Sequence, residues 1–218
     1  MPLIVFDLDG TLIDSARDLA DSTNEMLATF GAPALPNAVV LSMVGEGAKK
    51  LVERALAASE LDPAEPAALA RFREIYDRRL VVHTRAYDGI PEVLDAAATL
   101  MPLAVLTNKP EAPTRRLLDA LALARFFRWV IGGDGAFPRK PDPAALRHLV
   151  AAAGVDPAHT LYVGDSNVDV DTARRAGVPM CLARYGFGFL RGETGLDAAD
   201  WTIEEPRELL AIIQKLRQ

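Results

Sequence analysis

Two aspartates spaced two residues apart, Asp7 and Asp9, close the apolar run Ile4-Val5-Phe6 and precede a turn at Gly10-Thr11. An extended backbone repeats its side-chain direction every two residues, so both carboxylates can face one point. Burying such a pair unpaired is prohibitive, so the pair calls for a cation. Four further features stand where other apolar runs end. Thr107 and Asn108 follow Leu103-Ala104-Val105-Leu106 and offer a hydroxyl and an amide, although taken alone they read as a turn cap. Lys140 lies in Arg139-Lys140-Pro141-Asp142-Pro143, ahead of a helix whose first turn can hold proline; alone it reads as a solvated lysine. Asp165 ends Leu161-Tyr162-Val163-Gly164. Asp169 follows four residues later, where a carboxylate also suits a helix dipole.

Positioning these groups requires elements that end near one another. Strands are expected at Leu3–Phe6, Leu103–Thr107, Trp129–Ile131, Thr160–Gly164 and Pro179–Ala183, with a weaker one at Trp201–Ile203. Helical patterns around Pro91–Leu100, Glu111–Leu121, Pro143–Ala153 and Asn167–Ala176 separate most of them. The alternation predicts an α/β fold: a Rossmann-like parallel sheet with helices on both faces, whose ligands bind outside the strands' carboxyl ends. Ser15–Arg85 breaks the rhythm and contains no convincing strand. Leu19, Thr23, Met26-Leu27 and Phe30 repeat at helical spacing, Ser15 with Asp18 resembles a capping box, and Gly31 is a stop. Leu51, Ala55 and Leu56 mark a second helix; Leu69, Phe72, Ile75-Tyr76 and Leu80 mark a third. The expectation is an all-α helical-bundle cap, residues 15–85, inserted into a core of residues 1–14 and 86–218. It should hinge at Asp14-Ser15 and Tyr87-Asp88-Gly89 and act as a lid.

The chain has 218 residues, half of them apolar, which is enough for a real core. A net charge of −6 without a lysine- or arginine-rich run argues against a nucleic-acid partner. Cys181, the only cysteine, cannot form an internal disulfide and reads as core. No apolar run reaches the ~18 residues of a membrane span, and the amino terminus lacks a signal-peptide pattern. A soluble cytoplasmic protein, monomeric or a small homo-oligomer, is expected. His83, His148 and His159 read as helix-surface or helix-boundary residues without a role.

Taken in order, Asp7-x-Asp9-x-Thr11, Thr107-Asn108, Lys140-Pro141 and Gly164-Asp165-Ser166-x-x-Asp169 resemble the four motifs of the haloacid-dehalogenase-like (HAD) phosphohydrolases. The likeness spans essentially the whole chain, including the position of the helical insert. It implies an enzyme that hydrolyses the phosphoryl group of a small phosphorylated metabolite. Such a reaction requires roughly 20 kcal/mol of barrier lowering. By resemblance, Asp7 is the nucleophile that forms an aspartyl-phosphate. Asp9 protonates the leaving oxygen and then activates water. Thr107, the Asn108 backbone and Lys140 hold the phosphoryl oxygens. Mg2+ is the implied cofactor, a hard cation bound by Asp7, the backbone carbonyl of Asp9, and Asp165. Asp169 holds a metal-bound water or orients the shell, with Ser166 and Asn167 behind it. Asp9 also excludes dehalogenation, whose enzymes lack that acid. Phosphonate cleavage, which replaces Asp9 and uses a lid lysine, is disfavoured even though Lys49 and Lys50 lie in the lid.

Substrate choice is expected from the lid. Val44-Gly45-Glu46-Gly47 followed by Leu51-Val52-Glu53-Arg54-Ala55-Leu56 is similar to phosphoglycolate phosphatases, as are Asp14-Ser15 and Tyr162–Ser166. Gly45, Glu46, Gly47 and Arg54 are therefore candidate substrate-binding residues. Gly45 and Gly47 suit a tight loop before a helix start that can receive an anion. A substrate such as 2-phosphoglycolate adds a carboxylate, for which Lys49, Lys50, Arg54 and Arg17 are candidate cations. The same likeness leaves a hexose-phosphate mutase, a pyrophosphatase or a broad sugar-phosphate phosphatase open. Mutase relatives usually place a histidine where Leu19 aligns. A silent phosphate-binding regulator would lack a nucleophile or ligand, and none is missing.

Overall fold

The computed structural model describes residues 2–189 and 199–216. Its strands are β1 (Leu3–Phe6), β2 (Ile13–Asp14), β3 (Arg85–Ala86), β4 (Leu103–Leu106), β5 (Phe127–Ile131), β6 (Thr160–Gly164), β7 (Met180–Ala183) and β8 (Trp201–Ile203). Its helices are α1 (Ala16–Thr29), α2 (Asn37–Leu41), α3 (Ala48–Ala58), α4 (Ala68–Arg79), α5 (Ile90–Ala98), α6 (Glu111–Ala120), α7 (Ala144–Ala153), α8 (Asn167–Ala176) and α9 (Leu209–Leu216). Six strands form one parallel sheet in the order β5-β4-β1-β6-β7-β8. Each predicted strand is present within two residues of its expected bounds.

The sheet is apolar on both faces, as expected when helices cover both sides. Alternation divides its residues between two cores. Ile4, Phe6, Leu103, Val105, Leu161, Val163 and Cys181 pack with α5, α6 and α9. Leu3, Val5, Ala104, Leu106, Tyr162, Met180 and Leu182 pack with α7 and α8. Because β1 lies between β4 and β6, the chain departs in opposite directions on its two sides. A crevice opens at the carboxyl end of β1.

Helices α1–α4 pack on one another between β1 and β4, α1 chiefly against α4 and α2. Leu19, Met26, Leu27, Leu51, Leu56, Phe72 and Ile75 fill their interior. This cluster continues without a break into the sheet's α5–α6 face. The chain enters and leaves the helices through an antiparallel ribbon, in which Ile13 pairs with Ala86 and Asp14 with Arg85. That corrects the expectation of no strand up to Arg85: two residues are too short for a periodic signal.

The expected Ser15–Asp18 capping box does not form. Ser15 makes no side-chain cap. Its hydroxyl donates to Asp9 Oδ1 at 2.6 Å. Asp18, fully buried, accepts instead from the Thr84 hydroxyl and the backbone N–H groups of His83 and Thr84, each at 2.8 Å. Long-range donors thus outcompete the local cap. The capping box that exists is Ser166 with Asp169, at the start of α8.

Candidate active site

The carboxyl ends of β1, β4 and β6 deliver Asp7, Thr107 and Asp165 to the crevice. The Asp7 amide donates to the Val163 carbonyl at 2.8 Å, which extends the β1–β6 ladder up to the carboxylate. Lys140 is buried and its Nζ lies 2.8 Å from Asp7 Oδ1 and 2.7 Å from Asp169 Oδ1. Asp169 is saturated. Its Oδ1 also accepts from the Tyr162 hydroxyl at 2.9 Å, and its Oδ2 accepts from the Ser166 amide (3.1 Å) and hydroxyl (2.6 Å). Burial works against the Asp169 charge, but Lys140, Ser166 and Tyr162 outweigh it and hold the carboxyl below its usual range. Asp7 has less help. Burial pushes it up to about 6 in spite of Lys140. For Lys140, the attraction of Asp169 and Asp7 overcomes burial and raises the ammonium above its ordinary value.

Asp165 is held by shape. Thr11 Oγ1 stands 3.4 Å from its Oδ1, and the Gly188 amide donates to Oδ2 at 2.7 Å. Gly10 has φ +91°, and a Cβ there would fall 2.0 Å from Asp165 Oδ2. A Cβ on Gly186 would meet Asp165 Cβ at 2.3 Å. Glycine is thus required on both sides of this carboxylate.

The Asp9 carboxylate turns away from this cluster. Lys109 Nζ donates to both of its oxygens at 2.9 Å and to the Tyr76 hydroxyl of α4 at 2.8 Å. Burial opposes the Lys109 charge, but Asp9 and Tyr76 more than compensate and raise the ammonium above its ordinary value. Burial pushes the Tyr76 phenol up to about 12, so it stays protonated. Nothing local in the sequence marks Lys109, and Tyr76 stands in it only as part of the helical pattern Leu69, Phe72, Ile75-Tyr76 and Leu80.

Thr107 is buried, and its Oγ1 accepts from the Lys109 amide at 3.2 Å. The Asn108 side chain joins two loops, with Nδ2 donating to the Gly45 and Lys140 carbonyls at 3.0 Å each. Gly45 and Gly47 line a cavity of about 320 Å3 between the sheet and α1–α4, together with Asp7, Asp9, Thr107 and Asp165. That volume sits at the small end of small-molecule sites. Leu19, Val44, Leu51, Phe72 and Leu80 form an apolar wall. Glu46 and Arg54 do not line it. They pair with each other, and Arg54 also donates to the Met43 carbonyl at 3.1 Å, so they brace the Gly45–Gly47 loop. Lys49 and Lys50 pair with Glu53, and Arg17 with Asp21.

A hard cation fits this set. One oxygen from each of Asp7, Asp165 and Asp169 can lie within 4.8 Å of the others. Asp7 Oδ1 is buried and receives no directed hydrogen bond. Asp9 would take part only through its backbone, since its carboxylate is engaged by Lys109 and Ser15. Four carboxylates (Asp7, Asp9, Asp165, Asp169) face two ammonium groups (Lys109, Lys140), leaving an excess of two negative charges. One divalent ion cancels it.

The family model described as "Haloacid dehalogenase-like hydrolase" matches residues 4–183. This chain belongs to that family. Among HAD-like hydrolases, it is 42% identical to phosphoglycolate phosphatase 1 of Pseudomonas aeruginosa over 214 residues, 95% of this chain and 78% of that protein. It is 45% identical to phosphoglycolate phosphatase of Rhodospirillum rubrum over 192 residues, 84% and 80% of the two chains. The crystal structure of a predicted phosphoglycolate phosphatase from Haemophilus somnus superposes with a TM-score of 0.89 at 30% identity, covering 97% of each chain. The family is thus a hydrolase one and its parallel-sheet fold is the fold seen here. No helix among the described residues is long and apolar enough to cross a membrane.

Proposed function

We propose that this chain is a Mg2+-dependent phosphatase of 2-phosphoglycolate. The observation that carries the reading is the junction of Asp7, Lys140, Asp165 and Asp169 at the end of β1, within 4.8 Å for the three carboxylates. The likeness to phosphoglycolate phosphatases along nearly the whole chain supports the substrate.

In this mechanism an Asp7 carboxylate oxygen attacks phosphorus and the bond to the leaving glycolate oxygen breaks. Asp9 turns from Lys109 and Ser15 toward the leaving oxygen as substrate binds, takes up a proton from solvent, and gives that oxygen its proton. Asp9 then takes a proton from water, whose oxygen attacks phosphorus, and the Asp7–phosphorus bond breaks to release phosphate and restore the carboxylate. Lys140, the Thr107 hydroxyl and the Asn108 backbone N–H stabilise the phosphoryl oxygens, which carry the charge of the transition state. Asp7, the Asp9 carbonyl and Asp165 would hold Mg2+, which neutralises the repulsion between carboxylate and phosphate. Asp169, already accepting four hydrogen bonds, orients Lys140 and the outer shell. Leu19 offers no proton-transfer group on the cavity wall, which favours hydrolysis over a mutase.

Residues 15–85 act here as a lid on a core of 1–14 and 86–218, hinged at the β2–β3 ribbon. At the hinge itself Ser15 donates to Asp9, the Ala16 amide to Asp14, and Arg85 pairs with Asp14. Away from the hinge, three residue pairs make polar contacts across the two parts among the described residues: Asn108 to Gly45, Lys109 to Tyr76, and Arg116 to Asp77. Gly45 and Gly47 face the substrate; Glu46 and Arg54 set their loop. The test is a panel of phosphorylated metabolites, with Mg2+ and with chelator. The highest kcat/KM is expected for 2-phosphoglycolate, with turnover lost in chelator. Comparable values across sugar phosphates would overturn the substrate, and metal-independent turnover would overturn the mechanism.

A further inference from the structure

The region from Ser15 to Arg85 carries nine lysines and arginines. Eight have a carboxylate within salt-bridge distance: Arg17, Lys49, Lys50, Arg54, Arg71, Arg78, Arg79 and Arg85. Arg73 has no partner among the described residues. Its natural helical neighbour Asp77, four residues on, is taken by Arg116 from α6. Arg73 nevertheless lines the cavity. On α4 it shares a face with Tyr76, Asp77 and Leu80, which also line it, at spacings of three, four and seven. It lies one turn from Tyr76, whose hydroxyl meets Lys109 and through it Asp9. The other cavity-lining cations are committed, Lys109 to Asp9 and Arg116 to Asp77.

The cavity that Arg73 lines also has an apolar wall of Leu19, Val44, Leu51, Phe72 and Leu80. A second anionic group on the substrate, carried away from the phosphoryl site, would be stranded against this wall unless a cation met it. We propose that the Arg73 guanidinium binds the carboxylate of the substrate and is the lid's specificity-determining residue. A guanidinium matches a carboxylate in a two-pronged geometry that an ammonium does not. The assignment rests on the phosphoglycolate reading above and moves the carboxylate contact from Arg54, Lys49 and Lys50 to α4.

The experiment compares kcat/KM for 2-phosphoglycolate and for ethyl phosphate, which keeps the phosphoryl group and lacks the carboxylate. Wild type, Arg73→Ala and Arg73→Lys are measured with Mg2+. Arg73 is exposed and unpaired, so both variants should unfold with the wild-type midpoint. Arg73→Ala should lower the 2-phosphoglycolate value about 10- to 100-fold, the range of a hydrogen bond to a charged group. Ethyl phosphate turnover should stay at the wild-type level, and Arg73→Lys should recover part of the loss. If wild type prefers 2-phosphoglycolate and Arg73→Ala keeps that preference, the Arg73 assignment is overturned while the substrate reading survives. If wild type shows no preference for the carboxylate-bearing ester, the substrate reading fails and the assignment with it.

Discussion

Replacing Asp7 by Asn should make the metal-free protein more stable at neutral pH, even as it removes the proposed nucleophile. Burial raises the Asp7 carboxyl from 3.8 to about 6, a net value that already includes the attraction of Lys140. A group whose folded pKa is raised contributes stability that is fully present below its unfolded pKa. That stability is lost as pH rises through the folded value. Asp7 therefore takes up a proton on folding between about pH 4 and 6, and above pH 6 its buried charge weighs against the fold. At ~1.4 kcal/mol per unit, two units amount to about 3 kcal/mol. Asparagine removes the charge at nearly the same shape. Lys140 is not stranded, because Asp169 stays 2.7 Å away. Denaturant titrations in chelator at pH 4 and pH 8 measure the difference. The variant should gain up to about 3 kcal/mol over wild type at pH 8 and nothing at pH 4. Added Mg2+ should stabilise wild type more than the variant and narrow the gap. A metal-free Asp7→Asn protein that is less stable than wild type at pH 8 would refute the reasoning.

Lys109→Met should lower kcat about 10- to 100-fold, since the ammonium makes two charged contacts to Asp9 and each such bond contributes about 1.5–3 kcal/mol at most. Tyr76→Phe keeps that pair and loses one hydrogen bond, so its effect should be smaller in steady-state kinetics; equal losses would show that Lys109 acts only by docking α4. Gly10→Ala should destabilise by more than about 2 kcal/mol, through both its left-handed backbone and the collision with Asp165. An unchanged unfolding midpoint would mean that the Asp165 cradle is looser than its geometry.

Some of the candidate site residues are legible in the sequence because each stands at the end of an apolar run, whereas Lys140 and Asp169 do not and are legible only through the ordered set of motifs. Asp7, Thr107 and Asp165 stand at the ends of β1, β4 and β6, so the strand signal and the site signal coincide. The residues that were missed depend on neighbours set by the sheet order. Lys109 lies 100 residues from Asp9 in the chain, and only the pairing of β4 beside β1 brings them together. Tyr162 reads as a core residue of β6 and is one, yet its hydroxyl reaches Asp169. Ser15 and Asp18 fit the local pattern of a helix start. Both are drawn away, Ser15 by Asp9 and Asp18 by the returning segment at Thr84. No local pattern marks Gly186 and Gly188, whose close approach to Asp165 is set by the loop that follows β7.

These placements separate two tasks that the sequence ran together. The floor of the cavity is charged and belongs to the strand ends; its groups are fixed by one another, with Asp169 saturated and Asp165 clasped between glycines. The roof, from α1, α3 and α4, has an apolar stretch of Leu19, Leu51, Phe72 and Leu80 beside the polar Arg73, Tyr76 and Asp77. The apolar stretch cannot choose among phosphate esters by charge, but low-dielectric walls strengthen electrostatic contacts nearby. Tyr76 ties roof to floor through Lys109, so the same contact that seats the lid also holds Asp9. In the proposed mechanism the chemistry is therefore complete without any lid cation. Discrimination then falls to charged groups that line the cavity, where Arg73 is the one lid cation without a carboxylate partner among the described residues.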